Sequence, residues 1–185
     1  MQKLLSIILT INCFCQLIAS AQSPKLMKDR NATIEEARYL KSIYKTEDAI
    51  ELLSGLISPG QIDEEVQNEL ADCYIQAGDL DAAASTYSTL LMMKPESILY
   101  RIKLMLTTYR SKDYKSSSEL GLAIIKRDTI PAIVSLTADS FNMMAMPDSA
   151  LIYYNMYIGM NPANPSVVNK AAKIHLQREE YVKVL

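Results

Sequence analysis

Apolar residues along this chain recur at spacings of three and four, the signature of helices that each bury one face. Ile34, Ala37, Leu40, Ile43 and Tyr44 open the pattern, and Ala49, Leu52, Leu53, Leu56 and Ile57 continue it past the polar break Lys45-Thr46-Glu47-Asp48. Ser58-Pro59-Gly60 closes this first helix pair. A second pair runs through LADCYIQAGDLDAAASTYSTLLMMKP, residues 70–95, with Leu70, Ala71 and Tyr74 before a Gly78-Asp79 hinge and Ala83, Tyr87 and Leu90 after it. Gly78 can take the positive φ that ends one helix, Asp79 can accept from the free amides that begin the next, and Pro95 stops that helix. A third pair, with Leu104, Asp113, Tyr114 and Ile124 at equivalent places, is degenerate: Ser117 and Gly121 stand where larger packing residues would be usual. Gly121 reads as a close contact between helices. Val134, Ala138, Phe141, Asp148, Ala150, Tyr154 and Asn161-Pro162 mark a fourth pair, whose Met146-Pro147-Asp148 hinge suits a helix that opens on proline. A further first helix begins at Pro165, with Val168, Ala171, Ala172 and His175 as its expected buried stripe and Tyr181 just past its expected hinge.

The stretch from Leu70 to Pro95 resembles one tetratricopeptide repeat, a family whose unit of about 34 residues carries these residue types at these places. Leu90 is larger than the family pattern expects. In that register the units start near residues 30, 64, 98, 131 and 165, the last of them incomplete. The resemblance implies an all-α fold, a right-handed α-solenoid of stacked antiparallel helix pairs over residues 31–185, preceded by a flexible lead-in at 22–30.

The first residues have a different logic. Lys3 supplies a positive n-region, Leu4 to Ile18 is largely apolar, and Ala19-Ser20-Ala21 provides small residues for cleavage. Residues 1–21 therefore read as a cleaved signal peptide, and the protein as exported to the periplasm or cell envelope. Asn12, Gln16 and Ser20 interrupt the apolar run, which argues against a membrane anchor. Asn12 and Phe14 precede Cys13 and Cys15, which argues against a lipidated cysteine. Cleavage leaves Cys73 as the sole cysteine, a small buried hydrophobe beside Tyr74, so no intramolecular disulfide forms. No membrane span is expected after cleavage.

Composition narrows the chemistry. The 185 residues are 49% apolar and 22% charged, with a formal charge of -2, which is ordinary globular composition with no electrostatic footprint for nucleic acid. The one histidine and one remaining cysteine lie far apart, which leaves no typical N or S metal site and no cofactor motif. Without a positioned base, phosphate loop or nucleophile, the chain does not read as an enzyme. Asp79, Asp81, Asp113 and Asp148 sit at helix starts, where they serve as caps. Met143, Met144, Met146, Met156 and Met160 cluster in the fourth pair and are expected as gap-fillers in the core. Asp128-Thr129-Ile130 and Asp148-Ser149-Ala150 look like short O-glycan acceptor strings, although Thr129 and Ser149 serve equally well in turns and helix starts.

The resemblance implies a protein-protein interaction scaffold whose first helices line a concave groove for a peptide or partner helix. The groove places of the family fall on Asn68, Asp72, Gln76, Ile102, Leu106, Tyr109, Arg110, Asp139, Asn142, Asn169 and Lys173. Ile102, Leu106 and Tyr109 form one apolar strip; Asp72 and Asp139 flank it, and Arg110 and Lys173 add donors. The expected occupant is a peptide with an apolar anchor and a basic flank. The charged clamp of the family's chaperone-tail binders is missing, since its places carry Asn68, Asp72, Ile102, Leu106, Ser135 and Asp139. A small-ligand or glycan-binding accessory of the outer envelope is the alternative, and the incomplete last unit makes self-association a further expectation.

Overall fold

A computed structural model describes residues 29–58 and 60–184, with side chains described as far as residue 177. The expected signal peptide and residues 22–28 of the expected lead-in lie outside the described residues. Nine helices and no strand are found among the described residues. They are α1 (29–42), α2 (Thr46–Ser54), α3 (Glu64–Ala77), α4 (Leu80–Met93), α5 (Ile98–Arg110), α6 (Tyr114–Ile125), α7 (Pro131–Met143), α8 (Pro147–Met160) and α9 (Pro165–Val184). The all-α fold of stacked helix pairs is what the periodicity and the resemblance imply.

The chain divides into two compact units, one up to Cys73 and one from Tyr74 onward. In the first unit Ile34, Ala37, Ala49, Leu53, Val66 and Leu70 are buried, and ion pairs tie α1 to the start of α3. Arg30, placed by sequence in the lead-in, is already helical. Its guanidinium donates to both carboxylate oxygens of Asp63 at 2.6 Å and to Glu65 at 3.0 Å. In the second unit each helix from α4 to α9 packs on the next. The α5, α6 and α7 layer has Met105, Ile124 and Ile133 at its centre, and the α7, α8 and α9 layer has Ala138, Ala150, Leu151, Tyr154, Val167, Ala171 and Ile174.

The hinges repeat a single backbone device. Tyr44 (φ 62°), Gly78 (φ 84°), Lys112 (φ 67°) and Ala145 (φ 56°) each take the left-handed conformation between the two helices of a pair. At two of them the helix end is sealed by paired bonds: Tyr44 N donates to Lys41 O and Lys45 N to Leu40 O, while Ala145 N donates to Asn142 O and Met146 N to Phe141 O. These are the bonds of a glycine-type helix end, made here without glycine. Asp79 and Asp113 then cap α4 and α6 by accepting from Ala82 N at 3.0 Å and Ser116 N at 3.1 Å. Pro147 opens α8 without a side-chain cap, as its missing N–H allows.

Several expectations are corrected. The first helix stops at residue 42, so Ile43 and Tyr44 are exposed, and α2 ends at Ser54, which leaves Ile57 exposed as well. Helix α9 runs unbroken from Pro165 to Val184, so no hinge forms before Tyr181. Its buried face is Val167, Ala171 and Ile174, while Val168, Ala172 and His175 are exposed. The difference is a rotation of one residue toward α8, the neighbour against which α9 packs. The methionines are also misplaced by the sequence reading: Met143 is 53% and Met146 45% exposed, and Met156 and Met160 are exposed on α8. Tyrosines fill the core there instead, with Tyr154 fully buried and Tyr153 stacked on Phe141 at 5.5 Å.

Candidate functional site

A cavity of 340 Å³ opens where the first helices of three consecutive pairs converge. Tyr109 comes from α5, Asp139 and Asn142 from α7, and Lys170 and Lys173 from α9, while the Tyr154 hydroxyl rises into it from α8. Successive first helices present matching places because the pairs stack in register. Asp139 organises the charge. Its Oδ1 accepts from the Tyr154 hydroxyl at 2.6 Å, and Lys170 Nζ donates to Oδ1 at 2.7 Å and Oδ2 at 2.8 Å. Burial pushes the Tyr154 phenol well above its ordinary value, and its bond to the Asp139 carboxylate adds to that. Tyr109 moves the same way, first through burial and then through the Asp139 charge. Its ring meets Tyr114 edge-on at 5.4 Å.

The structure brings four of the expected groove residues together: Tyr109, Asp139, Asn142 and Lys173 line this cavity. The expected apolar strip splits. Ile102 packs against the Met105, Ile124 and Ile133 core, whereas Leu106 is 45% exposed beside Tyr109 on α5. Arg110 and Asn169 are exposed outside the cavity lining. Gln76 is exposed near the end of α3, and Asn68 and Asp72 are half-buried residues of the first unit. Asp139 is not an open acidic flank, because Lys170 and Tyr154 already satisfy it. Tyr154, Lys170 and Gln177 belong to the lining and escaped the sequence reading. Tyr154 reads from sequence only as a core aromatic. The Lys170–Asp139 pair spans 31 residues, and no local period reports it.

Binding is the chemistry these groups support. The cavity offers hydroxyl, amide and ammonium donors over an apolar edge of Met143 and Ile174. Cys73 is buried, and burial pushes its thiol up, away from the nucleophilic thiolate. His175 is exposed on α9 and lies outside the cavity lining. Among the described residues no group of His, Cys, Asp or Glu could hold a metal ion, and no helix is long and apolar enough to cross a membrane.

Comparison with known proteins agrees with this architecture. A family model described as tetratricopeptide repeat matches residues 44–105. No curated protein matches in sequence. Among solved structures, MamA from Desulfovibrio magneticus RS-1, residue 41 to its end, superposes with a TM-score of 0.71 at 10% identity, covering 83% of this chain and 87% of that one. MamA AMB-1 gives 0.69 at 15% identity over 83% of this chain and 85% of that one, and MamA MSR-1 gives 0.67 at 17% over 84% and 88%. At these identities the likeness is one of fold.

Proposed function

From the premise that the chain is a tetratricopeptide-repeat protein, we propose that it is a non-enzymatic protein-binding scaffold that takes a segment of a partner protein along its first helices. One observation carries this reading: α5, α7 and α9, first helices of three consecutive pairs, open onto one cavity, with Leu106 exposed beside it. An apolar partner side chain seated on Leu106 and Tyr109 would be the anchor, and the amides of Asn142 and Gln177 would pair with the partner's polar groups. Small central anchors of this kind carry most of the affinity of an interface. A photo-crosslinking residue at position 106 should capture a defined partner, and the same residue at position 152 should not. Replacing Leu106 and Tyr109 by Ser should then weaken that partner by about 2 kcal/mol or more, with the melting temperature nearly unchanged. Unfolding of the double variant, with full partner capture by its folded fraction, would place the strip in the core and end the reading.

The compartment belongs to the same proposal. Lys3, the apolar run from Leu4 to Ile18 and Ala19-Ser20-Ala21 support export to the periplasm or cell envelope. Mass spectrometry of exported protein should find Gln22, or its cyclised form, as the first residue. A peptide retaining Lys3 would overturn this.

A further inference from the structure

A second surface lies on the side of the second helices. Two cavities, one of 480 Å³ where α4 and α6 flank α5 and one of 510 Å³ between α4 and α5, share Ser88 and Leu104 and so form one continuous trough. Its walls are low because the facing positions are small: Ala84, Ser85 and Ser88 on α4, Ser116 and Ala123 on α6. Its floor is apolar, with Leu104 and Leu120 along the middle and Leu91 at the far end. From Ala84 to Pro95 it follows α4 for about 16 Å at 1.5 Å per residue, three helical turns. The charges are polarised. Asp113 and Glu119 stand at one end, and Glu119 makes no ion pair or hydrogen bond among the described residues. Arg101 stands at the other end, where its guanidinium donates to Pro95 O. Met92, 73% exposed, widens the apolar surface there, and exposed thioethers adapt to varied partners.

We propose that this trough is a docking site for an amphipathic helix of another protein, about three turns long, with a Lys or Arg at the end over Glu119 and none at the end over Arg101. A helix fits where an extended peptide does not. The trough is walled by helices whose backbone groups are already bonded to one another, so an extended chain would find no strand edge to pair with and would gain no main-chain hydrogen bonds there. A helix satisfies its backbone internally and offers side chains at i, i+3 and i+4 to the floor. The small wall residues let its backbone approach closely, and the carboxylates set its direction. This surface is separate from the cavity at Tyr109 and does not depend on it.

Phage-displayed peptides of about 14 residues, panned on the wild-type protein and counter-selected on Ser88→Phe, which fills the middle of the trough, provide the probe. The expected winners are amphipathic, with a cation confined to one end. Their Kd should rise about tenfold or more in Glu119→Lys and recover when the peptide cation is exchanged for Glu. Leu106→Ser/Tyr109→Ser should leave this binding intact, so failure here and failure of the first-helix groove read differently. Three results would overturn the proposal: no peptide surviving counter-selection, winners containing helix-breaking prolines throughout, or binding indifferent to Glu119→Lys. Glu119 is exposed, so its charge reversal tests the site even if Ser88→Phe disturbs folding.

Discussion

At the scale of single residues, the four hinges set the most specific local demand. The left-handed region costs an L residue roughly 1–2 kcal/mol, and only Gly78 meets it freely. Lys112, exposed with φ 67°, has no side-chain reason to be there. Lys112→Gly should therefore raise stability by up to about 1 kcal/mol, the strain relief being partly offset by the greater freedom of glycine in the unfolded chain. Gly78→Ala should lower it by about 1 kcal/mol. Urea midpoints measure both, and the two hinges should shift with opposite signs. Gly121 makes the reverse demand, for space. A Cβ there would stand 2.1 Å from Thr137 Oγ1 and 2.7 Å from Met105 Cε. Thr137 cannot yield cheaply, since it is fully buried and donates to Ile133 O at 2.7 Å. Gly121→Ala should destabilise by about 1–3 kcal/mol despite the better helix propensity of alanine. Adding Thr137→Ala should recover part of the loss.

At the scale of elements, two contacts show how helices are held by different means. Beside the apolar layer of α5, α6 and α7, small hydroxyls link the three helices: Ser140 Oγ on α7 donates to Ser117 Oγ on α6, and Ser117 Oγ donates to Met105 O on α5. The α1–α3 contact is ionic. Glu69, little exposed, accepts from Arg38 Nε at 2.8 Å and Lys41 Nζ at 2.6 Å. Burial alone would raise its carboxyl, but the bonds from Lys41 and Arg38 win and hold it below its ordinary 4.5. The Arg30 bonds hold Asp63 below its ordinary 3.8 against a smaller opposing effect of burial. Both carboxyls are depressed on folding, so their stabilisation is complete above about pH 5 and is lost as pH falls through and below those ordinary values. Protection of the α1 amides, taken relative to the intrinsic exchange rate at each pH, should therefore fall on acidification over that range. Glu69→Gln should flatten the acid dependence and lower stability at pH 7 by about 1–3 kcal/mol, because two cations lose a largely buried partner.

At the scale of the molecule, Cys73 reports on opening. It is the only cysteine among the described residues, buried, with its thiol pushed up by that burial. Maleimide should label it slowly in the native protein and rapidly at the urea midpoint; fast labelling in native buffer would mean that the core around Leu70 and Cys73 opens locally. The helix pairs themselves were legible from sequence. Gly78-Asp79, Asp113 and Pro147 announce hinges through backbone freedom and capping that act within a few residues, and Ala83, Tyr87, Ile124 and Tyr154 occupy one face of their helices wherever the neighbours lie. What the sequence could not rank were alternatives of equal local merit. Helix α9 carries two apolar stripes, Val167-Ala171-Ile174 and Val168-Ala172-Leu176, and packing against α8 buries the first while Leu176 stays 62% exposed. The same holds for the site. Asp139 reads as an acidic flank until α8 and α9 bring Tyr154 and Lys170 onto it, and the trough beside Glu119 exists only because α4 and α6 turn small residues toward each other. A helix and its ends are decided by interactions a few residues long, whereas pairing of charges and the shape left between helices depend on distances that only packing sets.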